Sequence, residues 1–407
     1  MFIKAEKTKK IDPSPRAIQP RSPRYNIELG CFIRAIEHRV YAAVDAHCAH
    51  DRHLVFPTIM KGKNLVERGK IASGKGGSFF DPVYVSIDVS RFDQSVSAPL
   101  LAEVEHPVYL RYFTGADANF LKTLLSWQID NVGFAGEHFQ YGVHGCRMSG
   151  DMNTALGNCL LMTLMCKAFA TDLRVPMEIM NDGDDCVLIF ERVHLDNVRN
   201  KVADYFLQFG MRVVIDKIAH TLEEMEFCQC HPVYIPLHGG YVMVRNPVKC
   251  LAGDASGFGS FCDGEAKARQ TLRAIGLCGG FLVRGLPMLQ PFYASLRAAS
   301  PNSVQLDDPN AISATGFLIH AKMLAGAEGV RLSTLREYQL ITPIHPDTRV
   351  SFHKAFGIDP NYQRLVEERY SGFKILPGIE HRGPVLCYDR GQCIRCIHDD
   401  IGDWSCL

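Results

Sequence analysis

Met177-Glu-Ile-Met-Asn-Asp-Gly-Asp-Asp-Cys-Val-Leu-Ile-Phe190 sets a short apolar run, a turn at Asn181-Asp182-Gly183 and a second apolar run of β-formers end to end. That order predicts a β-hairpin. It would carry Asp184 and Asp185 at the tip of two buried strands, where adjacent carboxylates repel each other and call for a divalent cation. Taken alone, Gly183-Asp184-Asp185 also reads as an ordinary acidic turn. Its meaning therefore depends on what the rest of the chain places beside it.

Two other segments supply candidates. Val83-Tyr-Val-Ser-Ile-Asp88 alternates like a strand, and in Ser86-Ile-Asp-Val-Ser-Arg-Phe-Asp-Gln94 the strand ends at Asp88 while Asp93 follows five residues later, pointing elsewhere. Asp88, Asp184 and Asp185 would form an oxygen-only ligand set suited to Mg²⁺, with Mn²⁺ as the alternative. Two solvated aspartates at a strand end are the bland reading of the same segment. Gly145-Cys-Arg-Met-Ser-Gly-Asp-Met-Asn-Thr-Ala-Leu-Gly-Asn158 is a glycine-punctuated loop running into a helix, marked over 154–169 by Leu156, Leu160 and Leu164. Thr154 and Asn158 share a face of that helix, and Ser149 and Gly150 stand just before it, small enough for a sugar or template backbone to come close. A Ser/Asp N-cap is the structural use of the same residues.

The chain has 407 residues, 47% of them hydrophobic, with 44 Lys+Arg against 44 Asp+Glu. Such a composition excludes a disordered chain and leaves material for two or three domains. The 15 cysteines are odd in number and scattered, so they read as reduced cytosolic thiols rather than a disulfide framework. The charged start, MFIKAEKTKK, is no secretory signal, and no apolar run approaches the length of a membrane span, so the chain reads as soluble. Zero net charge does not exclude a nucleic-acid partner, because the charge is uneven. Residues 1–25 carry Lys4, Lys7, Lys9, Lys10, Arg16, Arg21 and Arg24 against Glu6 and Asp12. Pro13, Pro15, Pro20 and Pro23 keep that segment extended, as a phosphate-lined channel or a solvated tail would require. Residues 26–48 predict a helix. Gly69-Lys-Ile-Ala-Ser-Gly-Lys-Gly-Gly-Ser78 reads as a loop, and its glycine spacing does not make a phosphate-binding P-loop. Beyond about residue 235 the sequence is Gly- and Leu-rich with several helical stretches.

In order and spacing, Asp88-x4-Asp93, Ser149-Gly150-x3-Thr154-x3-Asn158 and Gly183-Asp184-Asp185 resemble the A, B and C motifs of viral RNA-dependent RNA polymerases. The surrounding wording, DVSRFDQSVS, GCRMSGDMNTALGNCLL and NDGDDCVLIFER, resembles the tombusvirus/carmovirus-like group of positive-strand RNA viruses. FIKAEKTKKIDPSPRAIQPRSPRYNIELG resembles that group's basic F motif, and Phe227-Cys228-Gln229 its E motif, or primer grip. The resemblance runs from residue 2 to about residue 250. It implies an α+β right-hand polymerase: partial fingers over 1–80, a palm on an antiparallel sheet over 81–235 with a fingers-like insertion near 107–145, and a mainly helical thumb and tail over 236–407.

The resemblance also implies roles. Asp88 and Asp184 would hold two Mg²⁺ ions, with Asp185 in support. Asp93, Ser149, Gly150, Thr154 and Asn158 would line the nucleotide site and sense a ribose 2′-hydroxyl. Arg16 would meet the triphosphate, helped by Lys4, Lys7 and Arg21. Lys217, after Gly210-Met-Arg-Val-Val-Ile-Asp216, resembles the D-motif general acid, with a solvated strand-end lysine as the alternative. Partners would be RNA template, nascent RNA, NTPs and an upstream or auxiliary replicase segment, since the chain starts just before the F motif. The implied location is host cytoplasm, at membrane-associated replication complexes reached through another segment or partner. A reverse transcriptase would share the palm, but that family carries an aromatic residue where Asp93 stands and another before the Asp pair. A non-catalytic, polymerase-like RNA-binding subunit is the other reading. Cys393, Cys396, His398 and Cys406 are an admissible zinc set with irregular spacing, and are read as free thiols.

Overall fold

Two short paired strands open the chain, β1 (Phe2–Ile3) and β2 (Ala17–Ile18), followed by α1 (Pro23–Cys48). Pro23 begins α1, where a missing N–H breaks no helical bond. The computed structural model describes residues 1–4, 16–48, 56–135, 139–257, 261, 263–301, 304, 306, 315–335, 337–378, 386–389 and 392–393. It divides into one unit of Met1–Lys61 and Ile71–Cys228 and another of Gly62–Lys70 and Gln229–Leu407.

The glycine-rich stretch read as a loop is instead part of a helix, α2 (Leu65–Gly76). Its start is capped by Asn64, whose Oδ1 accepts from the backbone N–H groups of Val66 and Glu67 at 3.0 Å, while Glu67 Oε2 accepts from the Asn64 N–H at 2.8 Å. This is a reciprocal capping box. The glycines serve close packing: a Cβ on Gly69 would strike the Tyr241 backbone, on Gly74 the Phe56 ring, and on Gly76 the Tyr84 hydroxyl.

In the first unit follow β3 (Pro82–Ser90), α3 (Phe92–Ser95), a π-helical turn (Leu100–Glu105), α4 (His106–Leu110) and α5 (Gly115–Ser126). Next come the hairpin β4 (Asp130–Ala135) and β5 (Phe139–His144), then α6 (Thr154–Leu173). The predicted hairpin is β6 (Met177–Asn181) and β7 (Cys186–Glu191); α7 (Leu195–Leu207) and β8 (Arg212–Ala219) complete the unit. Four strands form one antiparallel sheet in the order β6-β7-β3-β8.

Alternation explains the sheet's two faces. Val83, Val85, Ile87 and Val89 of β3 and Cys186, Leu188 and Phe190 of β7 pack with Met162, Met165 and Phe169 of α6 and Val198, Val202 and Phe206 of α7. Tyr84, Ser86 and Asp88 therefore belong to the other face. A second core joins α1 and α5 to Leu156, Cys159 and Leu160 of α6. With apolar neighbours on both sides, α6 is buried almost all round. By length and composition it matches a membrane span, unlike the sequence expectation, but 67% of that window is buried within protein.

The second unit holds the hairpin β9 (Cys230–Ile235) and β10 (Gly240–Arg245), with helices α8 (Pro247–Gly253), α9 (Glu265–Leu282), α10 (Leu289–Arg297), α11 (Thr315–Ala327), α12 (Pro346–Phe356) and α13 (Pro360–Tyr370). Phe281, Phe292, Tyr293, Phe352 and Tyr370 lie in its own core. The candidate zinc residues Cys396, His398 and Cys406 lie outside the described residues, as does the Cys393 side chain.

Candidate active site

The β6–β7 turn is fixed from beneath by Asn181, whose side chain is fully buried. Asn181 Nδ2 donates to the Cys159 carbonyl at 2.8 Å and to Thr163 Oγ1 at 2.7 Å, and Asn181 Oδ1 accepts from the Gly183 N–H at 2.7 Å. Gly183 has φ +106°, a left-handed conformation that excludes most side chains. The Asp182 N–H closes the turn onto the Asp185 carbonyl at 2.9 Å. Asp182 itself pairs with Lys61 at 2.8 Å, and Cys228 Sγ donates to its other oxygen at 3.5 Å. Burial lowers the proton affinity of Lys61, but Asp182 more than offsets this, so its ammonium is held above the ordinary lysine range.

Strand register carries Asp88 to this turn. Ile87 pairs with Cys186, the last pair of the β3–β7 ladder, so Asp88 follows at the level of the turn that carries Asp184 and Asp185. The strand does not end at Asp88, as the sequence suggested, but continues to Ser90. Asp88, Asp184 and Asp185 all reach solvent, while protein packed around Asp88 and Asp185 shields part of each carboxyl. The Asp88 carboxyl is held above the usual carboxylate range by burial and then by the charges of Asp184 and Asp216. Asp185 is raised in the same sense by burial, Asp184, Asp182 and Asp88.

Asp216 is a member of this group that the sequence did not single out. On β8, Ile215 pairs with Ile87 and Lys217 with Ser86, so Asp216 is the extra residue of a β-bulge. A bulge breaks strict alternation and re-aims side chains, and here it brings Asp216 within reach of Asp88's field. Lys217 is half-buried near the end of β8, across from Ser86 on the strand that carries Asp88. In kind, these carboxylates fit a hard divalent cation: all donors are oxygens, and they repel one another without one. Among the described residues no three His, Cys, Asp or Glu side chains converge closely enough to enclose a metal as they stand.

Asp93, on α3, and Asn158, on α6, meet: Asn158 Nδ2 donates to Asp93 Oδ1 at 2.7 Å. A Cβ on Gly183 would lie 3.7 Å from Asn158 Cβ, so this pair stands directly beside the aspartate turn. Burial raises the Asp93 carboxyl's affinity for a proton, and the Asn158 hydrogen bond and the Arg147 charge oppose it. Thr154 is turned differently. Its hydroxyl donates to the Asp151 carbonyl at 2.8 Å, and the N-cap is Asn153 with no side-chain cap bond, so neither Ser149 nor Asp151 caps α6.

Ser149 and Gly150 lie against the basic segment. Ser149 Oγ accepts from the Gln19 N–H at 3.4 Å, and a Cβ on Gly150 would fall 2.6 Å from Pro20 Cα, which bridges to Gly150. Arg21 donates through Nε to Asp151 at 2.5 Å and through Nη2 to Asn131 at 2.5 Å. Arg16 and Lys4 are exposed where they flank the paired β1 and β2; Lys7 lies outside the described residues. Phe227 is buried, Cys228 and Gln229 both have left-handed φ (50° and 59°), and β9 starts immediately after them.

The first unit thus joins helices to an antiparallel sheet whose hairpin turn carries aspartates beside an Asp–Asn pair, a mixed helix-and-strand architecture compatible with the resemblance the motifs carry. The model of the family "Viral RNA dependent RNA polymerase" matches residues 1–377, and the chain belongs to that family. Its curated relatives are named RNA-directed RNA polymerase. That of Melon necrotic spot virus is 38% identical over 94% of this chain and 46% of its own length. The one from Maize chlorotic mottle virus is 39% identical over 98% of this chain and 39% of its own, and that of Turnip crinkle virus 37% over 92% and 46%. The chain thus spans less than half the length of these relatives.

Proposed function

We propose that the chain is the polymerising part of an RNA-directed RNA polymerase, transferring a nucleoside monophosphate from an NTP to an RNA 3′-end and releasing pyrophosphate. The observation that carries this reading is that Asp88, near the end of β3, and Asp184 and Asp185, in the β6–β7 turn, lie within one another's electrostatic field, with the Asp93–Asn158 pair alongside. In this reading 1–80 are partial fingers, 81–235 the palm and 236–407 the thumb and tail. Asp88 and Asp184 would hold Mg²⁺, or Mn²⁺, with Asp185 in support; bound there, the ions would neutralise charge on the attacking and leaving oxygens.

The remaining roles belong to side chains of the chain itself. Asp93 accepts a hydrogen bond from the ribose 2′-hydroxyl and Asn158 aligns it, which favours NTPs over dNTPs. A carboxylate at this place also speaks against an aromatic steric gate. Arg16, with Lys4 and Lys7, meets the triphosphate, while Arg21, Ser149, Gly150 and Thr154 shape the loop on which that segment lies. Lys217 delivers a proton to the pyrophosphate, and Phe227, Cys228 and Gln229 contact the primer end. RNA template, nascent RNA and NTPs are the partners.

The test is Mg²⁺-dependent incorporation of NTPs on an RNA template by wild type and Asp184→Ala. Incorporation is expected to vanish in the variant while its circular dichroism matches wild type. Undiminished synthesis would sink the assignment.

A further inference from the structure

Beneath the Asp93–Asn158 pair lies a buried ion pair, Glu105 with Arg147, both side chains fully shielded from solvent. Arg147 Nη1 donates to Glu105 Oε1 at 3.1 Å and Nη2 to Oε2. Tyr109 and Asn153 donate to the same Glu105 Oε1 at 2.9 and 2.7 Å, so the carboxylate is richly satisfied. One donor of Arg147 is directed away from Glu105: its Nε donates to Asn158 Oδ1 at 2.6 Å. Its backbone N–H donates to the Asp93 carbonyl at 2.8 Å.

These bonds close a ring with a chemical direction. A guanidinium only donates and a carboxylate only accepts, so Asn158 has one amide orientation that satisfies both, Oδ1 toward Arg147 and Nδ2 toward Asp93. Without Arg147, Asn158 Oδ1 loses its donor and the amide is held from the Asp93 side alone, free to swing off the position that the two anchors together define. A flipped amide would set its oxygen against the Asp93 carboxylate, two acceptors face to face. Gly157 makes the arrangement sterically unforgiving, since a Cβ there would fall against both the Arg147 guanidinium and the Glu105 carboxylate.

We infer that Arg147, held by Glu105, is a positioning residue that locks the Asn158 amide toward Asp93 and thereby sets the preference for ribonucleotides over 2′-deoxynucleotides. The inference rests on the proposed ribose-sensing role of Asp93 and Asn158. It adds a specificity determinant remote from the substrate, read through one amide.

The experiment compares kcat/KM for GTP and 2′-deoxyGTP, and equilibrium binding of both, which needs no turnover. It uses the full chain as wild type, Arg147→Lys, Gly157→Ala and Asn158→Ala. Lysine keeps a charge for Glu105 but lacks the second donor plane, and alanine at 157 leaves every hydrogen-bonding group in place while displacing the ion pair. Because both nucleotides meet the same active molecules, the GTP/dGTP ratio is insensitive to the folded fraction, as a merely structural role would require. Arg147→Lys and Gly157→Ala are each expected to lower the ratio about 10-fold, toward the Asn158→Ala value, with the change carried by weaker GTP binding. If Arg147→Lys does not fold, Gly157→Ala decides by the same ratio. A wild-type ratio in the folded variants with a reduced one in Asn158→Ala overturns the positioning role and leaves the ribose reading standing. An unchanged ratio in Asn158→Ala overturns both.

Discussion

Around the β6–β7 turn, Asp88, Asp184 and Asp185 reach solvent but stand together, and partial burial and then like charges raise the proton affinity of Asp88 and Asp185, whereas Glu105 and Arg147 are buried and answered donor for acceptor. Lys75 and Glu178, also buried and paired, follow the second pattern. A charge answered within the protein asks nothing of a ligand, while a charge left among its own kind gains by binding a cation. Uncompensated charge thus locates the chemistry, and compensated charge the scaffold that aims it.

The sharpest way to break this contrast is to substitute one member on each side. Asp88→Asn keeps the shape of the edge and removes one proposed metal ligand; NTP incorporation is expected to fall at least ~10⁴-fold, about 5.5 kcal/mol on the barrier, with little change in thermal stability. Glu105→Leu should do the reverse to the fold. It leaves the Arg147 charge buried without its partner and is expected to cost roughly 3–5 kcal/mol in chemical denaturation. Were Glu105→Leu as stable as wild type, the buried pair would not be the scaffold described. Lys217→Met is the intermediate case, expected to slow single-turnover incorporation on the order of 10²-fold without altering nucleotide affinity. Unchanged kinetics would return Lys217 to the surface lysine that its sequence setting also allows.

The sequence carried the edge far better than the scaffold. The β6–β7 hairpin is legible because two short apolar runs flank turn residues of the kind a tight turn needs, and Asp93 and Asn158 are legible through the motif spacing. Glu105 and Arg147 are 42 positions apart and their residue types suggest surface charges, so only the fold brings them together. Asp216 was hidden for a different reason: a bulge shifts the register of β8, and alternation read along Val213-Val-Ile-Asp-Lys-Ile218 cannot reveal which residue is extra. The misreading of α2 had a local signal available, the Asn64-x-x-Glu67 capping box, which outweighs glycines that are present to admit Tyr241, Phe56 and Tyr84. The smallness of Gly150 also admits the chain's own Gln19–Pro20 segment, a contact 130 positions away that no local pattern announces.

The smallest expected effect probes the edge through stability. In the folded protein the Asp185 carboxyl binds its proton more tightly than the ordinary carboxylate of the unfolded chain, because burial and the charges of Asp184, Asp182 and Asp88 disfavour ionisation. Between the unfolded and folded titrations the native state therefore holds more protons. The stability that this one group contributes is fully present below the unfolded value and is lost as pH rises through the folded one. At neutral pH without divalent cations, the ionised edge is a net liability. Asp185→Asn removes one of its charges while keeping the shape, so the variant is expected to melt a few degrees above wild type in chelator at pH 7. The gap should narrow as pH falls through the carboxylate range, where wild-type Asp185 takes up its proton, and again when Mg²⁺ is added, because binding stabilises wild type more than the variant. A variant less stable than wild type in chelator at pH 7 would mean that the edge is already compensated by the protein, and the distinction between the two groups of charge would fall with it.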